Sequence, residues 1–454
     1  MITLNFQSAL LPEGFAHDVA IEVDVNGNIS RVTANANAGG SGCALPGIAN
    51  LHSHAHQRAM AGHAERSGDT RDSFWTWRQT MYGFLDTMNP EQLHAVASQL
   101  YVEMLKAGFT RVAEFQYLHH QPDGKPYAER AEMSLQTLHA ATETGLGITL
   151  LPVHYQFGGF GRQPVGEQQK RFYNTADDFV TLLDTVHTHT TERPDANTGV
   201  ALHSLRAVDA EAYSEVASNY DALTSMPVHI HIAEQLKEVE DCKTWCGARP
   251  VEHLLSQFPV DHRWCLIHAT HMSQTETSAV ARSGAVAGLC PTTEANLGDG
   301  VFNAVEYTRL GGAYGIGSDS HISVSPVEEL RWLEYTQRLA RHGRNELAGR
   351  PDQSTGRTLL EQSASGGAQA CGHNAGELAV GKRADMIVLD TNHPILCERE
   401  DDTLIDSWIF SGNQNTVSDV YVGGQKVIDN GRHPHEEAIA KRFKSTLQSL
   451  RSTL

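Results

Sequence analysis

The sequence predicts an α/β protein: a (β/α)8 TIM-like barrel with a small β-sandwich built from both chain ends. Three features lead there. Eight short apolar runs recur through the middle of the chain. Each is followed by a longer stretch with apolar residues at helical spacing, the alternation expected of parallel βα units. Both ends break that rhythm and read as strand–turn–strand.

The eight runs end near Asn50 (ALPGIAN), Glu114 (RVAEF), Val153 (GITLLPV), Leu202 (GVAL), Ile230 (PVHI), Ile267 (WCLI), Gly288 (AVAG) and Gly317 (AYGIG). Eight strands are what a closed barrel needs, although a doubly wound open sheet would alternate in the same way. A representative helical stretch, EQLHAVASQLYVEMLKAG, ends in a glycine stop. In the N-terminal run DVAIEVDVNGNISRV, Asn-Gly signals a hairpin. At the other end ADMIVLD precedes VSDVYVGGQKVIDNG, with a terminal helix expected from about His435. The expected division is 1–45 for the first part of the sandwich, 46–373 for the barrel and 374–454 for the rest.

Composition narrows the partners. With 40% hydrophobic and 20% charged residues the chain of 454 has an ordinary globular profile. A formal charge of -19 without a basic cluster excludes a nucleic-acid footprint, yet a few pocket arginines can still hold an anionic small molecule. The seven cysteines are scattered without a CxxC pair, the pattern of reduced thiols in a cytoplasm. Cys242 and Cys246 could share a helix face and are given no role. No basic, apolar leader opens the sequence, and no run approaches the roughly 20 apolar residues of a membrane span. A cytoplasmic location is therefore expected.

Barrel active sites lie at the C-terminal ends of the strands. The first run leads into His52-Ser53-His54, and alternate strand residues face one side, so both imidazoles can enter the barrel mouth. Imidazoles suit Zn2+. In a chain with 25 histidines an HxH can arise by chance, and His56 extends the run to HSHAH. His52 and His54 are favoured as ligands because they sit at the end of the apolar run, with His56 a spectator in the loop. The fifth run ends HIHIAE, where His231 is taken as the third ligand, His229 as a packing residue and Glu234 as the acid/base group. His268 follows the sixth run. Asp319 follows the eighth, where an unpaired carboxylate would be costly, so it reads as fourth ligand and proton acceptor. Four polar clusters at four strand mouths favour one metal site over chance.

The order HxH, HxxE, His, GSD, with GELAVGKRADMIVLD returning to the sandwich, resembles the amidohydrolase superfamily over nearly the whole chain. The HxxE form is similar to its deaminase and chlorohydrolase branch. The stretches PGIANLHSHAHQRAMAG, DSFWTWRQTMY, HSLRAV, HIHIAEQ and TTEANLGDG resemble that branch's deiminases of histidine breakdown, which act on N-formimino-L-glutamate. The resemblance implies one Zn2+ per chain held by His52, His54, His231 and Asp319, because HSLR offers no bridging lysine at the fourth strand. It implies catalysis by Glu234, His268 and Asp319, and substrate binding by Gln57, Arg78, Tyr117, His203 and Arg206. N-Formyl-L-glutamate and ammonia are the implied products. His56 departs from the pattern, which has an aromatic residue there. Arginine is also the side chain best shaped to grip a carboxylate, although a lone Arg78 in FWTWRQTMY could equally lie on the surface. The expected partners are thus a small anionic amino-acid-derived substrate and a second copy of the chain in a homo-oligomer, a dimer, with neither nucleic acid nor membrane. The alternatives are a deaminase of the same branch acting on a heterocycle such as guanine, and a non-catalytic metal-binding protein of this fold.

Overall fold

The computed structural model of the protein describes residues 1–37, 39–66 and 73–451. The N-terminal segment forms β1 (Ile2–Leu11), β2 (Gly14–Val23), β3 (Ile29–Thr33) and β4 (Cys43–Pro46). The predicted hairpin joins β2 to β3, with Gly27 in the left-handed region at φ 81°. The barrel strands follow as β5 (Ile48–Ser53), β6 (Phe109–Gln116), β7 (Gly147–His154), the short β8 (Ala196–Thr198), β9 (Val200–Leu202), β10 (Val228–Ile232), β11 (Trp264–His268), β12 (Val286–Leu289) and β13 (Ala313–Ile316). Then come β14 (Met386–Leu389), β15 (Val417–Val422), β16 (Gln425–Ile428) and the terminal helix Glu436–Arg451.

Eight of these strands run parallel in sequence order from β5 to β13, with β8 pairing β7 off that path. The eight predicted runs are those eight strands. Closure occurs beyond β13: Ser53 bridges Asp319, the Asp319 N–H donates to the His52 carbonyl at 3.0 Å, and the His54 N–H donates to the Asp319 carbonyl at 3.3 Å. Gly317 permits this approach. A Cβ there would lie 2.8 Å from both the backbone nitrogen and the Cβ of His52. The barrel therefore closes through the backbones of three of its expected metal ligands, His52, His54 and Asp319.

Both chain ends build one seven-stranded sheet, β16-β15-β14-β4-β1-β2-β3. It curls over an apolar cluster, so that Phe6 of β1 meets Tyr421 of β15 edge to face at 6.2 Å although two strands separate them in the sheet. The β-sandwich expectation fits this arrangement. Among the described residues, no helix is long and apolar enough to cross a membrane.

Candidate active site

At the mouth of the barrel, β5 ends on His52 and leads into His54, β10 contributes His231, and the turn after β13 contributes Asp319. His231 Nε2 lies 2.9 Å from His52 Nε2 and 3.3 Å from His54 Nε2, and Asp319 Oδ1 is 3.4 Å from the Nε2 atoms of His52 and His54. A tetrahedral zinc ion with bonds of about 2.0–2.2 Å needs ligand atoms roughly 3.3–3.5 Å apart, so the four donors fit such an ion. The outer nitrogens support the assignment: Nδ1–H of His54 donates to the Phe115 carbonyl at 3.0 Å, and that of His231 to the His203 carbonyl at 2.9 Å. These bonds place the proton on Nδ1 and leave the Nε2 lone pair facing the centre. Burial holds all three imidazoles below the usual histidine range, in the neutral form that a cation requires. His229, two positions before His231 on the same strand, instead turns its Nε2 to the Ala370 carbonyl at 2.8 Å.

Beside the four donors, His268 Nε2 stands 3.8 Å from Asp319 Oδ2 and 3.9 Å from Glu234 Oε1. Burial works against a charged His268, but the carboxylates of Glu234, Glu294 and Asp319 outweigh it and push its pKa up. Burial pushes the Glu234 carboxyl up as well. The turn carrying Glu234 is fixed by Glu238, whose carboxylate accepts the backbone N–H groups of Ala233 and Glu234, each at 3.2 Å. Ala233, His268, Ala269, Asp319 and His321 all have positive φ, between 44° and 67°. Left-handed backbone at non-glycine residues is costly, and here it gathers at the strand ends that carry the chemistry.

One cavity opens over these groups. Gln57, Tyr117, His203, Arg206 and Arg78 line it together with Glu234, His268 and Asp319, so the sequence-predicted residues converge. Arg78 lies on the helix Phe74–Leu85, where its guanidinium sits 5.1 Å from the Tyr82 ring and its Nε donates to the Tyr82 hydroxyl at 2.6 Å. Among the described residues neither Arg78 nor Arg206 has a carboxylate within ion-pair distance. Two half-buried guanidinium groups, neither ion-paired among the described residues, face one cavity, an arrangement that suits an anion. Part of the segment leading to Arg78, residues 67–72, lies outside the described residues.

His56 differs from the expected loop spectator. It lies in a short 3-10 helix, Ala55–Met60, is buried, and meets the Tyr117 hydroxyl through Nε2 at 2.9 Å. Sequence reasoning also missed the groups that hold the ligand-bearing turns. Asn50 donates from Nδ2 to Ser318 Oγ at 2.6 Å and accepts the Ser318 N–H at 3.0 Å. Glu114, fully buried, accepts from Ser53 Oγ at 2.6 Å and from the Ala55 N–H at 2.7 Å. Glu294 meets Nδ1 of His268 at 3.3 Å. The signal available for Glu114 was an acid in the apolar run RVAEF, which requires partners; Glu294, in PTTEANLGDG, offered no such signal. Cys242 and Cys246 share a helix, with their sulfurs 3.9 Å apart and away from this cavity.

The barrel, the four converging donors and the acid beside them are those of a metal-dependent hydrolase, and the amidohydrolase family profile matches residues 43–427: the chain belongs to that family. Within it, a formimidoylglutamate deiminase of Pseudomonas aeruginosa is 51% identical over 455 residues, covering 99% of this chain and all 100% of that protein. The crystal structure of an amidohydrolase from Brucella melitensis superposes with a TM-score of 0.95 at 46% identity, covering 99% of this chain and 100% of the other. An adenosine deaminase from Xanthomonas campestris, solved with bound zinc, has the same fold with a TM-score of 0.83 at 20% identity over 99% of this chain and 98% of its own.

Proposed function

We propose that this protein hydrolyses N-formimino-L-glutamate to N-formyl-L-glutamate and ammonia, as a zinc-dependent step of histidine degradation in the cytoplasm. The observation that carries this reading is the pair Arg78 and Arg206, which face the cavity beside the four-donor cluster and, among the described residues, have no carboxylate within ion-pair distance. A substrate with two carboxylates at one end and an amidine at the other matches that polarity. The 51% identical deiminase supports the same choice.

His52, His54, His231 and Asp319 would hold the zinc, whose Lewis acidity makes hydroxide available near neutral pH. Arg78 and Arg206 bind the carboxylates, with Tyr117, His203 and Gln57 completing the grip and fixing the formimino carbon over the donors. Glu234 Oε1 takes the proton of the attacking water and returns it to the nitrogen that leaves as ammonia. His268 directs Nε2–H toward the oxygen on which charge develops. The apolar and aromatic wall formed by Phe74, Trp77, Met81 and Phe172 excludes bulk water and strengthens these contacts. A homodimer is the assembly we expect, and sedimentation velocity reads it directly.

The discriminating experiment is ammonia release by zinc-loaded protein across formimino-amino acids and heterocyclic amines. N-Formimino-L-glutamate should exceed the others in kcat/KM. Turnover of guanine or an adenine nucleoside in preference to it would replace this reading with that of a heterocycle deaminase.

A further inference from the structure

We propose that His56 is a positioning residue for Tyr117: its Nε2–H donates to the phenol oxygen and turns the tyrosine's own proton into the cavity, as a fixed donor to a substrate carboxylate. The substrate part of this inference rests on the function proposed above; the direction of the hydrogen bond does not.

The Tyr117 oxygen has two nitrogen neighbours. Gln57 Nε2 donates to it at 3.1 Å, and His56 Nε2 lies 2.9 Å away. The rings of His56 and Tyr117 meet edge to face at 4.8 Å, which keeps the imidazole edge on the hydroxyl. The other imidazole nitrogen, Nδ1, is buried and has no partner among the described residues, in a side chain only 1% exposed. A proton on Nδ1 would be a buried orphan donor, whereas a proton on Nε2 is used by Tyr117. The imidazole therefore presents Nε2–H.

A phenol oxygen that accepts two N–H bonds must send its own hydrogen in a third direction. In this structure it points to Met81 Sδ at 3.6 Å, a weak acceptor that lines the same cavity as Arg78 and Arg206. A carboxylate arriving between the guanidinium groups is a far stronger acceptor and captures that hydrogen. With an aromatic hydrocarbon in place of His56, the tyrosine could instead rotate its proton away, and part of the donor's orientation would be lost.

The test has two arms. In full-length protein with 15N-labelled histidine, the His56 signals, assigned by their loss in His56→Gln, should show the Nε2–H tautomer; an Nδ1–H tautomer overturns the proposal. In kinetics, His56→Phe keeps the ring and removes the donor, so KM for N-formimino-L-glutamate should rise about 3- to 10-fold while kcat stays within about twofold. His56→Gln, which offers an amide N–H at similar reach, should restore KM to within about twofold of the parent. In a Tyr117→Phe background the His56→Phe change should add less than about 1.5-fold, because the group it positions is gone. An unchanged KM in His56→Phe would mean that the Gln57 amide carbonyl takes the tyrosine's proton, and additive effects would mean that His56 acts by packing alone; both overturn the proposal. If the parent protein does not turn over N-formimino-L-glutamate, the substrate reading fails, and the tautomer measurement alone then decides the role of His56.

Discussion

The carboxylate of Glu294 accepts the Nδ1–H of His268 at 3.3 Å, on the side of the imidazole opposite Glu234 and Asp319. The same Glu294 oxygen accepts the Cys290 backbone N–H at 2.9 Å, so the acid is held in place before it holds the histidine. The bond fixes the ring with Nε2 toward the reacting centre. Glu294→Ala should therefore lower kcat about 10- to 100-fold, the usual cost of losing a group that orients a site residue. Zinc content by atomic absorption should not change. A variant with normal kcat would show that packing alone orients His268.

The four-donor cluster makes a stoichiometric claim. Purified protein should carry about one divalent ion per chain. Asp319→Ala should abolish activity while circular dichroism reports a retained fold, and a chelator should remove activity that added zinc restores. Full zinc occupancy in a protein lacking both His52 and His54 would contradict the site.

Glu234 approaches the centre without belonging to the four donors. Glu234→Gln keeps the size and most hydrogen bonding but cannot shuttle a proton, so kcat should fall on the order of 10²-fold or more. Its metal content should match the parent's. Near-normal turnover would assign the proton transfer to another group.

The eight strands and the four donors were legible because both follow local rules. A strand end places HxH side chains on one face, and an acid after AYGIG has to be ligated or paired. The supporting shell follows no local rule. Asn50 and Ser318 are 268 positions apart, and only barrel closure makes them neighbours. Glu294 reaches back 26 positions to His268 across two strand mouths. His56, expected in the loop and outside the ligand set, is indeed not among the four donors, but its surroundings were not legible, for a different reason. Beyond the strand, alternation ceases, and the chain enters a 3-10 turn that buries the ring against Tyr117.

Away from the site, Glu436 begins the terminal helix and accepts from Lys106 Nζ at 2.8 Å. That bond, aided by the His433 N–H, holds the Glu436 carboxyl down at about 2 against an ordinary value of 4.5. Because the folded pKa is depressed, the stabilisation is fully present above about 4.5 and is lost as pH falls toward about 2. Glu436→Gln should lower Tm at pH 7 by on the order of 1 °C, as expected for a partly exposed pair of about 0.5 kcal/mol. The difference from the parent should shrink progressively as the pH is lowered below 4.5. A constant difference down to pH 3 would mean that the pair contributes through packing and not through charge.

Specificity gives the sharpest test of the cavity. A glutamate-like tail leaves water only if charged donors replace its hydration, and Arg206 and Arg78 are cavity-lining cations without acidic partners among the described residues. A heterocyclic amine would not need them. Arg206→Met keeps much of the side-chain length and removes the charge, so KM for N-formimino-L-glutamate should rise at least about tenfold, the loss expected of a charge-assisted contact. kcat should also fall if the tail sets the position of the reacting carbon. Toward a formimino compound lacking the carboxylates the same variant should be far less impaired, which separates tail binding from damage to the zinc site. Arg78→Met should behave alike, and because the Arg78 guanidinium bonds the Tyr82 hydroxyl one turn along the same helix, its thermal stability has to be compared with the parent's before the kinetics are interpreted. If both substitutions leave the rate constants for N-formimino-L-glutamate as they were, the proposed substrate is wrong even where the zinc chemistry stands.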